Sequence, residues 1–295
     1  MTSPQRHSLR LWVALALLLA CPLDALWGQA GLKSDILARW KTVGRVRVLW
    51  PPKKAAPKAV IHWIGGFLVG RASDLTYNDL LEYLADKGYI ICATAIPLVT
   101  LKHGEAAASC AQDFQRAYRV LSEGSTSVSA LPVIGMSHSL GGKLTALIAS
   151  TTDIASEGAA APRMNAVNIF LAFNNYAFAA AGKNGEQSSN PGPSPSSGPK
   201  QQEFTPSAAA TWRQIASAYS VPRSLAVRFE GDTIDQSAEL LEALCQRQRT
   251  CGDASNVQAS LLVLPGDHLT PNRRDIGIFA LLVQAIDGLV DSSST

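Results

Sequence analysis

The chain has 295 residues, 47% of them hydrophobic and 17% charged, with 26 lysines and arginines against 23 aspartates and glutamates. This composition excludes a disordered chain, which needs low hydrophobicity and high net charge, and its 22 glycines and 16 prolines exclude a collagen-like one. A net charge of +3 leaves no basic footprint for nucleic acid.

The N-terminus reads as a leader. Arg6, His7 and Arg10 precede an uncharged apolar run from Leu11 to Leu23, Asp24 ends it, and Gly28-Gln29-Ala30 supplies a small-residue ending. The run falls short of the roughly 20 residues that span a bilayer. Together these parts resemble a signal or targeting peptide over residues 1–30, although the run could also form a buried or interfacial helix. The expectation is export from the cytosol, to a plastid or chloroplast in a photosynthetic eukaryote and otherwise by secretion. Residues 31–295 are long enough for one domain with a substantial core, and they contain no transmembrane span.

From Gly44 onward, short β-branched runs alternate with longer amphipathic stretches. Strands are predicted at Arg45–Trp50, Ala59–Ile64, Tyr89–Ile96, Leu131–Met136, Ala166–Phe173, Ser224–Phe229 and Gln258–Leu264. Several are apolar without alternation, as parallel strands covered on both faces should be. Helices are predicted at Tyr77–Lys87, Gly104–Ser122, Gly141–Ser150, Ala208–Tyr219, Gln236–Gln248 and Arg274–Val290. In Tyr77–Lys87, Leu80, Leu81 and Leu84 recur at helical spacing, and Gly88 is placed to stop the helix. The alternation predicts an α/β fold, a mostly parallel sheet of about seven or eight strands flanked by helices. Residues 182–202, rich in glycine, proline and serine, cannot bury enough surface to offset their ordering entropy and are expected to form a disordered, mobile loop inside a flexible insertion from Asn174 to Pro206. It reads either as a tolerated surface insertion or as a lid over the carboxyl ends of the strands.

Cys92 lies in an apolar run and reads as a core thiol. Cys245 and Cys251 flank what reads as a short polar loop and could close a disulfide. No Cys-x-x-Cys or His-x-x-x-His pair points to zinc.

The chemistry concentrates in Leu131–Leu144, where an apolar strand runs through His138-Ser139-Leu140-Gly141-Gly142 into a helix. A serine on so sharp a turn is forced into a strained conformation with its hydroxyl projecting, and small residues are needed two before and two after it. Ser137 and Gly141 stand there, Ser137 where the strict pattern has glycine. An alternative register makes Ser137 the nucleophile. A phosphate loop fails because Leu144, not Ser or Thr, follows Lys143.

Serine needs a base to take its proton, and the base needs an orienting acid. In chain order, Asp232 and Asp235 follow the strand Ser224–Phe229, and His268 follows Gln258–Leu264. His268 is the only histidine after Ser139. Asp232, directly after a glycine turn, is the first choice of acid; Asp235 is the alternate and also suits a helix N-cap. Gly65-Gly66 after Ile64 lets the backbone approach Ser139, so the amides of Phe67 (or Gly66) and Leu140 are candidate oxyanion donors. Of the other histidines, His62 reads as a core or strand-end residue, His103 as solvated in a polar loop, and His138 as flanking the site.

The segments Ala59–Gly70 (AVIHWIGGFLVG), Ser137–Gly142, Glu203–Ser207, Asp232–Ser237 (DTIDQS) and Leu264–Pro271 (LPGDHLTP) resemble an uncharacterised family of cyanobacteria and plastid-bearing eukaryotes. That family is a domain of unknown function (DUF1350), similar to the α/β-hydrolase superfamily. The resemblance spans roughly Gly44 to Val290. It implies the α/β-hydrolase fold and a photosynthetic context, and it brings no substrate. From the wider superfamily it places the nucleophile on Ser139, the acid on Asp232 and the base on His268.

Two functions follow as expectations. One is a serine hydrolase acting through an acyl-enzyme on an ester, thioester or lipid, its partner a small-molecule or lipid-like acyl substrate; Tyr176, Phe178 and Phe204 could face an apolar moiety or pack the insertion down. The other is a non-catalytic scaffold of the same fold used for binding or assembly. No metal or organic cofactor is implied, and the lack of Gly-x-Gly-x-x-Gly after a strand argues against a dinucleotide enzyme. The sequence leaves the oligomeric state open.

Overall fold

The computed structural model describes residues 39–53, 56–97, 100–151, 165–177, 203–251 and 257–291. The leader, the run 182–202 and Phe178 lie outside them. Eight strands form one sheet: β1 (Trp40–Val43), β2 (Val46–Leu49), β3 (Ala59–Ile64), β4 (Tyr89–Thr94), β5 (Val133–His138), β6 (Val167–Leu171), β7 (Arg223–Phe229) and β8 (Gln258–Leu264). Their order is β1-β2-β4-β3-β5-β6-β7-β8. β2 runs antiparallel to both β1 and β4, and the rest are parallel.

Every residue of β3, β4, β5 and β6 is buried, which is why those runs carry no polar alternation. Each strand still presents two faces: Ile61 and Trp63 of β3 enter one core cluster, while Val60 and Ile64 enter clusters on the other side. β1 was not foreseen. It is a four-residue edge strand whose only buried residue is Trp40, too short and too exposed to stand out as a periodic run.

Eight α-helices lie among the described residues: α1 (Ser73–Thr76), α2 (Asn78–Asp86), α3 (His103–Glu123), α4 (Thr126–Ser129), α5 (Leu140–Ala149), α6 (Ala208–Ala218), α7 (Ser237–Cys251) and α8 (Ile276–Asp291). α2 and α8 cover one face of the sheet, while α3, α5, α6 and α7 cover the other. Nine residues make α2 too short to persist alone. Packing holds it, because Leu80, Leu81 and Leu84 are all fully buried, each contributing roughly 2 kcal/mol of transfer free energy. The segment between Cys245 and Cys251 is helix rather than loop, and Cys245 is a free thiol. Six residues of helix separate the two by about 9 Å, beyond disulfide reach. No described helix is long and apolar enough to cross a membrane.

The parallel pairing aligns the carboxyl ends of the strands. Ile64 sits opposite Ser137, His138 opposite Leu171, Leu171 opposite Val227, and Phe229 opposite Leu264. The loops that follow β3, β5, β6, β7 and β8 therefore gather at one edge.

Candidate active site

Ser139 stands between β5 and α5 with φ 55° and ψ −123°. Side chains seldom occupy this region, and the surroundings hold Ser139 there: its N–H donates to Leu171 O at 3.0 Å, and its carbonyl accepts from Gly142 N–H at 2.9 Å. The turn demands glycine at 141, since a Cβ there would collide with the carbonyl oxygens of Ile64 and Gly65. It tolerates serine at 137. Ser137 is fully buried on β5 and its hydroxyl turns away toward Ile169 O at 3.4 Å, so the alternative nucleophile faces a neighbouring strand.

His268 Nε2 lies 3.0 Å from Ser139 Oγ, and His268 Nδ1 lies 2.7 Å from Asp232 Oδ2. The Asp232 side chain is wholly buried, while that of His268 keeps 21% of its surface exposed. Ile234 N–H donates to the other carboxylate oxygen, Oδ1, at 2.9 Å. Gly231 N–H, bonded to Gly266 O at 2.8 Å, ties the two loops together. Gly266 has φ 122°, and a side chain there would strike Thr270. Asp235 lies elsewhere: its carboxylate accepts from the N–H and the hydroxyl of Ser237 at 2.9 and 2.8 Å, capping α7. Burial pushes the Asp235 carboxyl up.

On the β3 side, the two candidate oxyanion amides separate. Gly66 N–H donates to Tyr77 Oη at 2.8 Å and is thereby engaged. A γ-turn at Leu68, with φ 63° and Val69 N–H bonded to Phe67 O at 2.7 Å, leaves the Phe67 amide without an acceptor among the described residues. Leu140, at the first position of α5, has no intrahelical acceptor for its N–H. The turn lies against Ser139, as a Cβ on Gly66 would come within 3.3 Å of Ser139 Cβ.

Residues 39–280 match a family described as a protein of unknown function, DUF1350. The chain belongs to the DUF1350 family. No curated protein matches it in sequence. In structure, this DUF1350 protein is similar to esterase B from Lactobacillus rhamnosis, with a TM-score of 0.59 at 14% identity, over 92% of this chain and 94% of that one. The apo form of Thermogutta terrifontis esterase 2 gives 0.57 at 12% identity, over 84% and 92%. A tributyrin-phosphonate-inhibited form of the Lactobacillus esterase gives 0.56 at 14%, over 99% and 98%. At such identities the likeness is one of fold, and that fold is the α/β hydrolase.

Two further side chains of the DUF1350 protein join the site without a sequence signal for their roles. Asn174, just past β6, donates Nδ2–H to Ser139 Oγ at 3.1 Å. Tyr77, from the segment joining α1 to α2, bonds His138 Nδ1 at 2.8 Å, and His138 Nε2 bonds the carbonyl of His268 at 2.8 Å. A carbonyl only accepts, so Nε2 carries the proton and Tyr77 donates to Nδ1. The result is a buried relay from Gly66 N–H through Tyr77 and His138 to the His268 backbone. Burial first, and then the nearby His268, hold His138 down at about 3, so it remains a neutral imidazole. His138 thus does more than flank the site: it joins the β3 turn to the loop that carries His268.

The remaining candidates are structural. His62 stacks on Phe114 with ring centroids 4.2 Å apart and bonds Thr94 Oγ1 at 3.0 Å; burial holds it at about 3. His103 is not solvated but 2% exposed, because it opens α3 and stacks on Phe204 at 4.2 Å. Phe204 therefore packs the end of the insertion down rather than lining an open face. Lys143, the lysine of the rejected phosphate loop, is buried and donates to Pro206 O at 3.1 Å, its ammonium held down at about 8 chiefly by burial. Tyr176 is half-buried, and burial raises its hydroxyl.

Proposed function

We propose that the protein is a serine hydrolase that cleaves an ester or thioester of a small-molecule or lipid-like acyl group through an acyl-enzyme on Ser139. The observation that carries this reading is the continuous hydrogen-bond chain from Asp232 through His268 to a serine held at positive φ. Ser139 Oγ attacks the acyl carbon as its proton passes to His268 Nε2, and Asp232 holds His268 in the tautomer that can accept it. The carbonyl electrons move onto oxygen, where the Phe67 and Leu140 amides receive them. Collapse of this intermediate expels the leaving group, which takes the proton from His268; water then repeats the sequence and releases Ser139. The solved structures that share the fold include esterases, one of them inhibited by a phosphonate, which supports ester chemistry on this scaffold.

A fluorophosphonate probe tests the reading without knowledge of the substrate. Labelling is expected on Ser139 of the full-length protein, with Ser139→Ala unlabelled and His268→Ala slower by at least roughly 1,000-fold. Folded wild-type protein that takes no label would return the molecule to the non-catalytic scaffold.

A further inference from the structure

The strand after the nucleophile brings a second polar group onto the reacting oxygen. Ala172 takes φ 48°, with its N–H bonded to Val227 O at 2.8 Å, and so turns the chain as β6 ends. Both neighbours of Asn174 are anchored. Phe173 O accepts from Gln236 N–H at 2.7 Å, while Asn175 donates from its backbone N–H to Gln236 Oε1 at 2.6 Å and from Nδ2 to Ala208 O at 2.9 Å. Asn174 itself takes no part in that anchoring; its side chain makes one described hydrogen bond, to Ser139 Oγ at 3.1 Å.

The donors and acceptors around Oγ then follow in order. The Asp232 carboxylate accepts from His268 Nδ1–H, which leaves Nε2 as an acceptor and directs the Ser139 O–H onto it. A hydroxyl oxygen has two lone pairs; the Asn174 amide occupies one, and the other is free to attack. With both partners in place, the hydroxyl rotor has a single setting.

We infer that Asn174 is a further catalytic residue, an amide donor that stabilises negative charge on Ser139 Oγ. The inference rests on the serine-hydrolase reading. Charge develops on Oγ as its proton leaves for His268 and the Oγ–carbon bond forms. It develops again in deacylation, when that bond breaks and Oγ departs before recovering the proton from His268. Phe67 and Leu140 serve the carbonyl oxygen; Asn174 serves the other oxygen of the same bond. An amide suits this position because it donates a hydrogen bond yet neither gives up nor takes a proton in the working pH range, and so cannot compete with His268 as base.

The test compares Asn174→Ala and Asn174→Asp with wild type, using the fluorophosphonate labelling rate together with burst and steady-state hydrolysis of p-nitrophenyl acetate. Asn174→Ala is expected to slow labelling, burst and steady state each about tenfold, the worth of one hydrogen bond to a charge-bearing atom, with KM and the melting temperature little changed. The nearly isosteric Asn174→Asp is expected to be at least as slow, because a carboxylate offers Oγ only acceptors and draws the hydroxyl proton away from His268. Both variants labelling at the wild-type rate, with Ser139→Ala unlabelled, would overturn the role of Asn174 and leave the hydrolase reading intact. Wild-type protein that neither labels nor hydrolyses ester would overturn both.

Discussion

The loops after β3, β5 and β6 and those after β7 and β8 meet over the same edge of the sheet, yet they are built by different means. The first group contains Leu68, Ser139 and Ala172, the three non-glycine residues at positive φ among those described. The second has its one positive-φ residue at Gly266, where glycine adopts it without penalty. It is organised instead by hydrogen bonds: Asp267 accepts from Leu269 N–H and Arg273, Thr270 Oγ1 accepts from Asp267 N–H, and Gly231 bonds Gly266. Strain serves where one atom must be thrust out of a packed edge, as Ser139 Oγ is. Hydrogen bonds serve where two side chains on separate loops, Asp232 and His268, must keep a fixed separation.

Breaking the hydrogen-bonded half at Asp232 gives the largest expected effect. Asp232→Asn keeps the shape but no longer selects the His268 tautomer, and turnover is expected to fall by three to four orders of magnitude, roughly 1,000- to 10,000-fold. Asp235→Ala is the control on the same loop: it removes the cap of α7, costs about 1 kcal/mol of stability, and leaves the fluorophosphonate labelling rate within about twofold of wild type, below the smallest effect of a lost hydrogen bond. A large loss in Asp235→Ala with Asp232→Asn near wild type would exchange the assignments.

Breaking the strained half calls for Gly141→Ala. The added methyl meets the Ile64 and Gly65 carbonyls, so α5 must move away from β3; the expected destabilisation is roughly 2–4 kcal/mol in denaturant titration. An unchanged midpoint would show that the turn is softer than its geometry indicates.

His138 links the two halves, and acid sharpens the comparison. Burial holds His62 and His138 at about 3 and His103 at about 4, below the unfolded histidine value of about 6.5. The unfolded chain therefore binds protons that the folded chain refuses. Stability is complete above about pH 6.5 and is lost as pH falls through that value toward the folded ones. For His62 and His138 the loss is roughly 2 kcal/mol each at pH 5; Asp235, with its raised carboxyl, works in the opposite direction. Melting temperatures that stay level between pH 7 and pH 5 would contradict this. Replacing His138 by glutamine should flatten part of the slope and loosen the site, whereas replacing His62, stacked on Phe114 away from the hydrogen bonds of the site, should flatten the slope alone.

What could be read in the sequence was local. The unbroken apolar runs of β3 to β6 marked strands covered on both faces, and the small residues around Ser139 marked a strand-to-helix turn, because each signal is contained in a few consecutive residues. His268 followed from counting, as the only histidine downstream. Where two residues of one type could serve, the sequence ranked them without deciding: Asp232, the first choice, and Asp235 stand three positions apart, and their hydrogen-bond partners parted only in the folded loops, where the Gly231–Gly266 bond sets one against the other. β1 escaped because four edge residues show no period.

The tertiary structure decided what depends on two distant segments meeting. Gly66 stood as the alternate donor to Phe67, and only the fold engaged its amide with Tyr77. His103, polar in a polar stretch, became a buried ring because Phe204, a hundred residues away, stacks on it. Asn174 acquired a partner only through the turn at Ala172. A sequence constrains its neighbours through backbone sterics and hydrophobic period, which act over a few residues. Hydrogen-bond partners at a sheet edge are chosen by register and packing across the whole chain, and these exist only once the sheet has formed.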